Sequence, residues 1–139
     1  MRYLSAVVII FLSASCSTYR DKLEDKEQTV ELQYIAWACD CANWATTHDV
    51  EKYKDNIGDT LASLSIYVEP ADSSLRLPVN IDFSGDRVRF TGRFYKEKGF
   101  PANYKSAENP DKARVFRYTQ YKVIKRNQEN KTTFLPATR

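Results

Sequence analysis

The chain has 139 residues, of which 42% are hydrophobic and 28% charged, with a formal net charge of +3. That length suits one domain with its own core, and the balance excludes both a disordered chain and a miniprotein that depends on disulfides. Aromatic residues reach 13%, mostly Tyr and Phe, a bias towards strands, where flat rings pack on a pleated surface.

The first predicted element is a targeting segment. Arg2 gives a positive start, residues 3–12 are almost entirely apolar, and Ser13-Ala14-Ser15 leads into Cys16. An apolar run of roughly ten residues is too short to cross a bilayer as a helix and has the proportions of a signal-peptide core. Leu12-Ser13-Ala14-Ser15-Cys16 resembles a bacterial lipobox, with Leu one step further from the Cys than is usual. The resemblance implies that residues 1–15 are a signal peptide and that Cys16 is acylated, with palmitate-type chains, to become the mature N-terminus. The expected address is the cell envelope, on a membrane-anchored lipoprotein facing the periplasm or the cell surface.

After Cys16, the segment to Gln28 is polar and charge-rich and reads as a flexible tether. A β-rich domain is expected over 29–125. Its first strand spans 29–38, where Val30, Leu32, Tyr34, Ala36 and Ala38 alternate with other residues at a period of two. A short helix is predicted over 46–56, with Thr46 and Asp49 spaced as a capping box and Gly58 set to end it. Residues 61–69 read as a strand, 70–74 as a turn, and 75–79 as a short return strand confined to an edge by Pro78.

The clearest strand covers 87–95. Val88, Phe90, Gly92 and Phe94 form a core face, and Arg87, Arg89, Thr91, Arg93 and Tyr95 form the opposite, cationic face. Gly92 on the core side permits the close approach of another chain. A long loop over 96–112 leads to the last strand, 114–124, and residues 126–139 read as a polar tail.

Charge is uneven along the chain. Residues 17–72 carry 5 basic and 12 acidic side chains, and residues 73–139 carry 15 basic and 6 acidic. Two halves of one small barrel interleave, so these charges can neighbour each other, or the second half can present a basic face to an anionic partner.

A long first strand, a strand with Tyr67-Val68 before an Asp72-Ser73 turn, then the run from Gly85-Asp86-Arg87-Val88 to Gly92-Arg93-Phe94 and a final strand resemble an OB-fold. The likeness implies a small OB-like antiparallel barrel. OB barrels usually carry their helix between the third and fourth strands, whereas the one helix predicted here lies between the first and second. The stretch from Trp37 to Trp44 (Trp-Ala-Cys-Asp-Cys-Ala-Asn-Trp) and Phe116-Arg117-Tyr118-Thr119 are also similar to small lipoproteins of the Bacteroidota, which implies a location and no activity.

Cys39-Asp40-Cys41 is the most unusual constellation. Residues two apart in an extended strand sit roughly 6.5 Å apart, near the limit for a disulfide, so a bond there requires the chain to turn. A structural disulfide, two reduced cysteines, and a redox or soft-metal site with His48 all remain open, the last implying metal handling, redox chemistry or envelope stress sensing.

Trp37 and Trp44 flank the cysteines and are either packing residues or stacking surfaces. Arg87, Arg89, Arg93 and Arg117, interleaved with Tyr95, are the basic ligand-binding candidates, with Arg114, Lys122, Tyr118 and Tyr121 nearby. Outside the cytoplasm an anionic glycan, a lipid or an envelope protein is the expected partner, and nucleic acid is not. Asp59-Thr60-Leu61 resembles a short bacterial O-glycosylation acceptor. His48 is the single histidine, with no nucleophile elbow or phosphate loop to serve, so no enzyme, cofactor or catalytic residue is expected.

Overall fold

The computed structural model describes residues 22–55 and 58–126. The predicted signal peptide, Cys16 and the tail from residue 127 lie outside them. Five strands form one sheet in the order β2-β1-β4-β5-β3, curled into a half-barrel. They are β1 (Gln28–Tyr34), β2 (Trp44–Thr46), β3 (Tyr67–Pro70), β4 (Arg87–Phe94) and β5 (Val115–Ile124). All neighbours are antiparallel except β3 and β5, which run parallel from Tyr67↔Val115 to Pro70↔Tyr118. A further antiparallel bridge joins Trp44 to Ile66, with reciprocal N–H···O bonds of 3.2 and 2.8 Å, so the two edges of the sheet meet at one point.

The period-two pattern decides which face is core. From β4, Val88, Phe90 and Phe94 are buried, and they meet Leu32 of β1, Phe116 and Tyr118 of β5, and Trp44 of β2. The rings pack edge to face: Trp44 on Phe90 at 5.3 Å between centroids, and Phe94 on Phe116 at 4.8 Å. Each such buried side chain stabilises the fold by about 1.5–3 kcal/mol relative to exposure. Gly92 lies between Gln28 of β1 and Tyr118 of β5, where a Cβ would meet the Arg117 carbonyl oxygen at 2.1 Å. Only a residue without a side chain fits there. A bulge after Thr91 sets that approach by letting Thr119 fall out of register.

Several expected elements differ. The first strand stops at Tyr34 rather than running to residue 38, because the chain reverses there: Ile35 N–H donates to Asn43 O, and Trp37 N–H to Ile35 O. This reversal creates β2, which the pattern did not reveal. The helix over 46–56 is shorter, α1 (Thr47–Lys52). Its capping box forms as expected, with Thr46 Oγ1 accepting from Asp49 N–H at 3.1 Å and donating to Asp49 Oδ2 at 2.6 Å.

Gly58 does not end that helix. It precedes a second one, α2 (Asp59–Leu64), which takes the first half of the stretch expected as a strand over 61–69. Leu61 anchors α2 in the interior, and Ser65 Oγ donates back to Leu61 O at 2.9 Å, so local bonding favours the turn until β3 starts at Tyr67. The return strand over 75–79 does not form. Pro78 denies the ladder a donor, Val79 is 96% exposed, and the segment is held instead by Tyr118 OH on Leu75 O and Tyr121 OH on Arg76 O. A single turn, α3 (Ile81–Ser84), closes on Gly85 in the left-handed conformation (φ 65°) between β3 and β4. There are thus three short helices among the described residues rather than one. None is long and apolar enough to cross a membrane.

Candidate functional site

The outer face of β4 carries Arg87, Arg89 and Arg93, and its two ends are built differently. Glu31 of β1 stands opposite Arg89 in register and accepts from both Arg87 (2.8 Å) and Arg89 (3.1 Å). One carboxylate therefore serves two guanidinium groups. Lys122 stands opposite Arg89 from the other side, on β5.

At the far end the β1 ladder has run out. Its last pair is Gln28↔Gly92, so Arg93 has no β1 partner and pairs in register with Arg117 of β5. No carboxylate among the described residues lies within ion-pair distance of either arginine. Both line a groove of about 280 Å³ with Leu23, Glu27, Ala71 and Thr119.

Arg117 is held in place. Its Nη2 donates to Ala71 O at 3.2 Å, and its Nη1 to the Tyr95 hydroxyl at 3.5 Å. That hydroxyl donates onward to Glu69 Oε1 at 2.5 Å, and the second oxygen of Glu69 accepts from Ala102 N–H at 2.7 Å. Glu69 is 7% exposed. Its charge is satisfied by a phenol and an amide, one step removed from Arg117. Burial first, then the bond to Glu69, push the Tyr95 phenol above its ordinary pKa.

Tyr95 joins this groove to a larger cavity of about 490 Å³ under the loop that follows β4. Phe100, Tyr95 and Val115 form its apolar lining, and Lys22, Lys98 and Lys112 stand around it with Glu97 as the one acid among the described residues. None of these lysines was legible as a site residue. They are scattered over 90 positions and meet only because the loop folds back on the chain entry, with Lys96 N–H donating to Lys22 O and Gly99 bridging Ala113. The single hint was the density of Lys in a long loop beside a strand rich in Arg.

The cysteine segment lies in the loop between β1 and β2. The Cys39 and Cys41 sulfurs are in bonding contact, with Cα atoms 5.3 Å apart, because the chain turns there as a bond requires. Asp40 between them is tied to the loop after β4. Its N–H donates to Glu108 Oε2 at 3.0 Å, its Oδ2 accepts from Ser106 Oγ at 2.8 Å, and its carbonyl accepts from the Tyr67 and Tyr104 hydroxyls. Burial, then the Tyr104 hydrogen bond, raise the Tyr67 phenol well above its ordinary range. A cavity of about 520 Å³ beside the cysteines is lined by Asp59, Glu108, Asp111 and Lys112 among others.

His48 is exposed on α1, and no group of three His, Cys, Asp or Glu side chains gathers in metal-holding geometry among the described residues. Trp44 is 4% exposed and packs in the core, so it has no face to offer a ligand. Trp37 is half-buried, with its indole N–H buried and unpaired among the described residues.

Comparison with protein-family models, with curated proteins and with solved structures returns no match.

Proposed function

We propose that the protein is a membrane-tethered, extracytoplasmic binding or accessory module of the cell envelope, without enzymatic activity, that engages an anionic partner through the Arg93–Arg117 end of its barrel. The observation that carries the reading is the register pair itself. Like charges directly opposite each other in a sheet are destabilising. Among the described residues no carboxylate in ion-pair distance offsets the cost, and Arg117 is fixed by Tyr95 and Ala71 so that its charge stays at the groove. An anion bridging the two guanidinium groups offsets the repulsion through charge-assisted hydrogen bonds. The tether reading is supported by the order Arg2, apolar 3–12, Ser13-Ala14-Ser15, Cys16.

Two observations support an OB-like barrel beneath this surface. The strand circuit runs β1-β4-β5-β3 and returns to β2 and β1 through the Ile66–Trp44 bridge, with the one parallel pair between β3 and β5. The single-turn α3 occupies the interval between β3 and β4, where OB barrels carry their helix. The loops after β1 and β4 then match the two loops that bound ligands contact in such barrels.

The test is nuclear magnetic resonance titration with a sulfated oligosaccharide. Amide and guanidinium signals of Arg93, Arg117 and Tyr95 are expected to shift, and those of Arg87 and Arg89 to stay. Shifts confined to the Arg87 end, or none at all, would contradict the reading.

A second reading is favoured by one feature, the four groups that converge on Asp40 between two touching sulfurs. It is a thiol site whose opening frees the loop after β4. Reduction of the purified protein by a dithiol, followed by proteolysis of that loop, tests it. Cleavage that is unchanged by reduction would remove it.

A further inference from the structure

We infer that the basic end of the barrel lies on the anionic phospholipid headgroups of the membrane that holds the chain. The inference rests on the tether at Cys16 proposed above and adds the partner and the orientation.

The position of the chain entry sets the geometry. Leu23 bridges Tyr95, Glu24 N–H donates to Phe94 O at 2.8 Å, and Lys22 O accepts from Lys96 N–H at 2.9 Å. Residue 22 is therefore fixed at the far end of β4, against the cavity and the groove. Six peptide steps link Cys16 to Lys22, a reach of about 20 Å at full extension. A domain of this size has a radius of gyration of about 13 Å, so the domain is wider than the tether is long. The surface around Leu23 is then the one held nearest the membrane. The opposite end, around Asp86 and Lys125, cannot come as near.

That surface carries a group of lysines and arginines. Lys22, Lys98 and Lys112 stand around the cavity beside the chain entry, and Arg93 and Arg117 line the groove that Leu23 also lines. Two acids, Glu97 and Glu27, share these linings. Glu24 is taken by Arg114 at 3.3 Å. Lys98, Lys112, Arg93 and Arg117, held within about a Debye length of the headgroups by the tether, meet a negatively charged surface with complementary charge. Each Lys or Arg near such a surface strengthens attachment roughly fivefold.

The test uses the full lipid-modified protein taken from membranes and bound to vesicles of phosphatidylcholine, or of phosphatidylcholine with phosphatidylglycerol. A water-soluble amine-acylating reagent reports each lysine. On the anionic vesicles Lys98 and Lys112 are expected to label several-fold more slowly than on the neutral ones, with Lys125 unchanged and the protection lost at high salt. Equal labelling of Lys98 and Lys112 on both vesicles would overturn the inference. So would equal labelling accompanied by tight binding of a sulfated glycan, which would assign the face to that partner.

Intact mass distinguishes a missing lipid from a basic end that does not bind headgroups. If Cys16 carries no lipid, the tether reading fails by itself. The basic end is then judged by co-sedimentation of the unmodified chain with the phosphatidylglycerol vesicles. Binding abolished by high salt and by Lys98→Glu with Lys112→Glu would sustain it, and absence of binding would overturn it.

Discussion

At the start of β4, Arg87 and Arg89 share the carboxylate of Glu31, which β1 carries directly opposite. At its end, Arg93 faces Arg117, and among the described residues no carboxylate lies in ion-pair distance of either. The residue type, the strand and the sheet face are the same. The difference comes from where β1 begins: its ladder starts at Gln28 opposite Gly92, one position short of Arg93. A surface arginine is thus made structural or available by the length of the neighbouring strand. The contrast separates the end of the outer face whose arginines share a carboxylate from the end whose arginines face each other.

The largest expected effects test whether the two ends stand on one shared core. Phe90 lies beneath the outer face between them and touches Trp44 and Tyr118. Phe90→Ala is expected to destabilise by about 3–5 kcal/mol in a denaturant titration. A loss no greater than that of Arg89→Ala would mean that the faces are assigned the wrong way round.

Gly92 is the hinge between the two ends, and its substitution comes next. Gly92→Ala drives a Cβ into the backbone of Arg117 and Tyr118, at a cost of about 1–3 kcal/mol or more. It is also expected to move Arg117 and so to weaken the groove. Full stability with a methyl group at position 92 would contradict the close approach.

The arginines themselves are expected to differ in sign. Arg89→Ala removes an exposed ion pair and is expected to cost less than about 1 kcal/mol. Arg93→Ala relieves a like-charge pair and is expected to be neutral or stabilising by a few tenths of a kcal/mol. Equal destabilisation by the two would erase the contrast between the ends.

Acid titration reads the paired end. Lys125 Nζ at 2.8 Å, and then Arg126 N–H at 3.0 Å, hold the Asp86 carboxyl below the usual aspartate range. The folded pKa is the lower one, so this contribution is complete above the ordinary aspartate value of about 3.9 and is lost as pH falls through the folded value. Asp86→Asn is expected to flatten that acid limb. An acid limb identical to that of the unmodified chain would deny the linkage.

The smallest effect concerns the cysteines. The loop closed by Cys39 and Cys41 is so short that its entropic contribution is small beside that of a long loop. Cys39→Ser with Cys41→Ser is expected to fold with a modest stability loss. Thiol counting on unfolded, unreduced protein is expected to find neither cysteine free. Two free thiols would end the disulfide.

Much of this contrast could be read from residues alone. Strict alternation in β4 separates Val88, Phe90 and Phe94 from the arginines, because a strand half buried on one face leaves a period-two record. The Thr46–Asp49 cap is equally local and equally legible. The neutralisation of Arg87 and Arg89 was not, since it depends on the register of β1, 56 and 58 residues away in sequence. Residues 61–69 alternate weakly, and their first half became α2 because Leu61 anchors a turn. Trp44 could be read as a packing residue or as a stacking surface, and it is core because the chain reverses just before it. The cavity lysines carry no periodic signal at all, and folding of the loop over the chain entry brings them together.

The most direct measurement is the paired neutralisation of the two ends. Co-sedimentation of Arg93→Ala and of Arg87→Ala with phosphatidylglycerol vesicles, each on a Cys16→Ser background that carries no lipid and against Cys16→Ser alone, compares one cation with another on the same strand. One charge near an anionic surface corresponds to roughly fivefold in binding, so Arg93→Ala is expected to lose about that much and Arg87→Ala to stay within experimental error. Equal losses at both ends, or a loss confined to Arg87→Ala, would contradict the account.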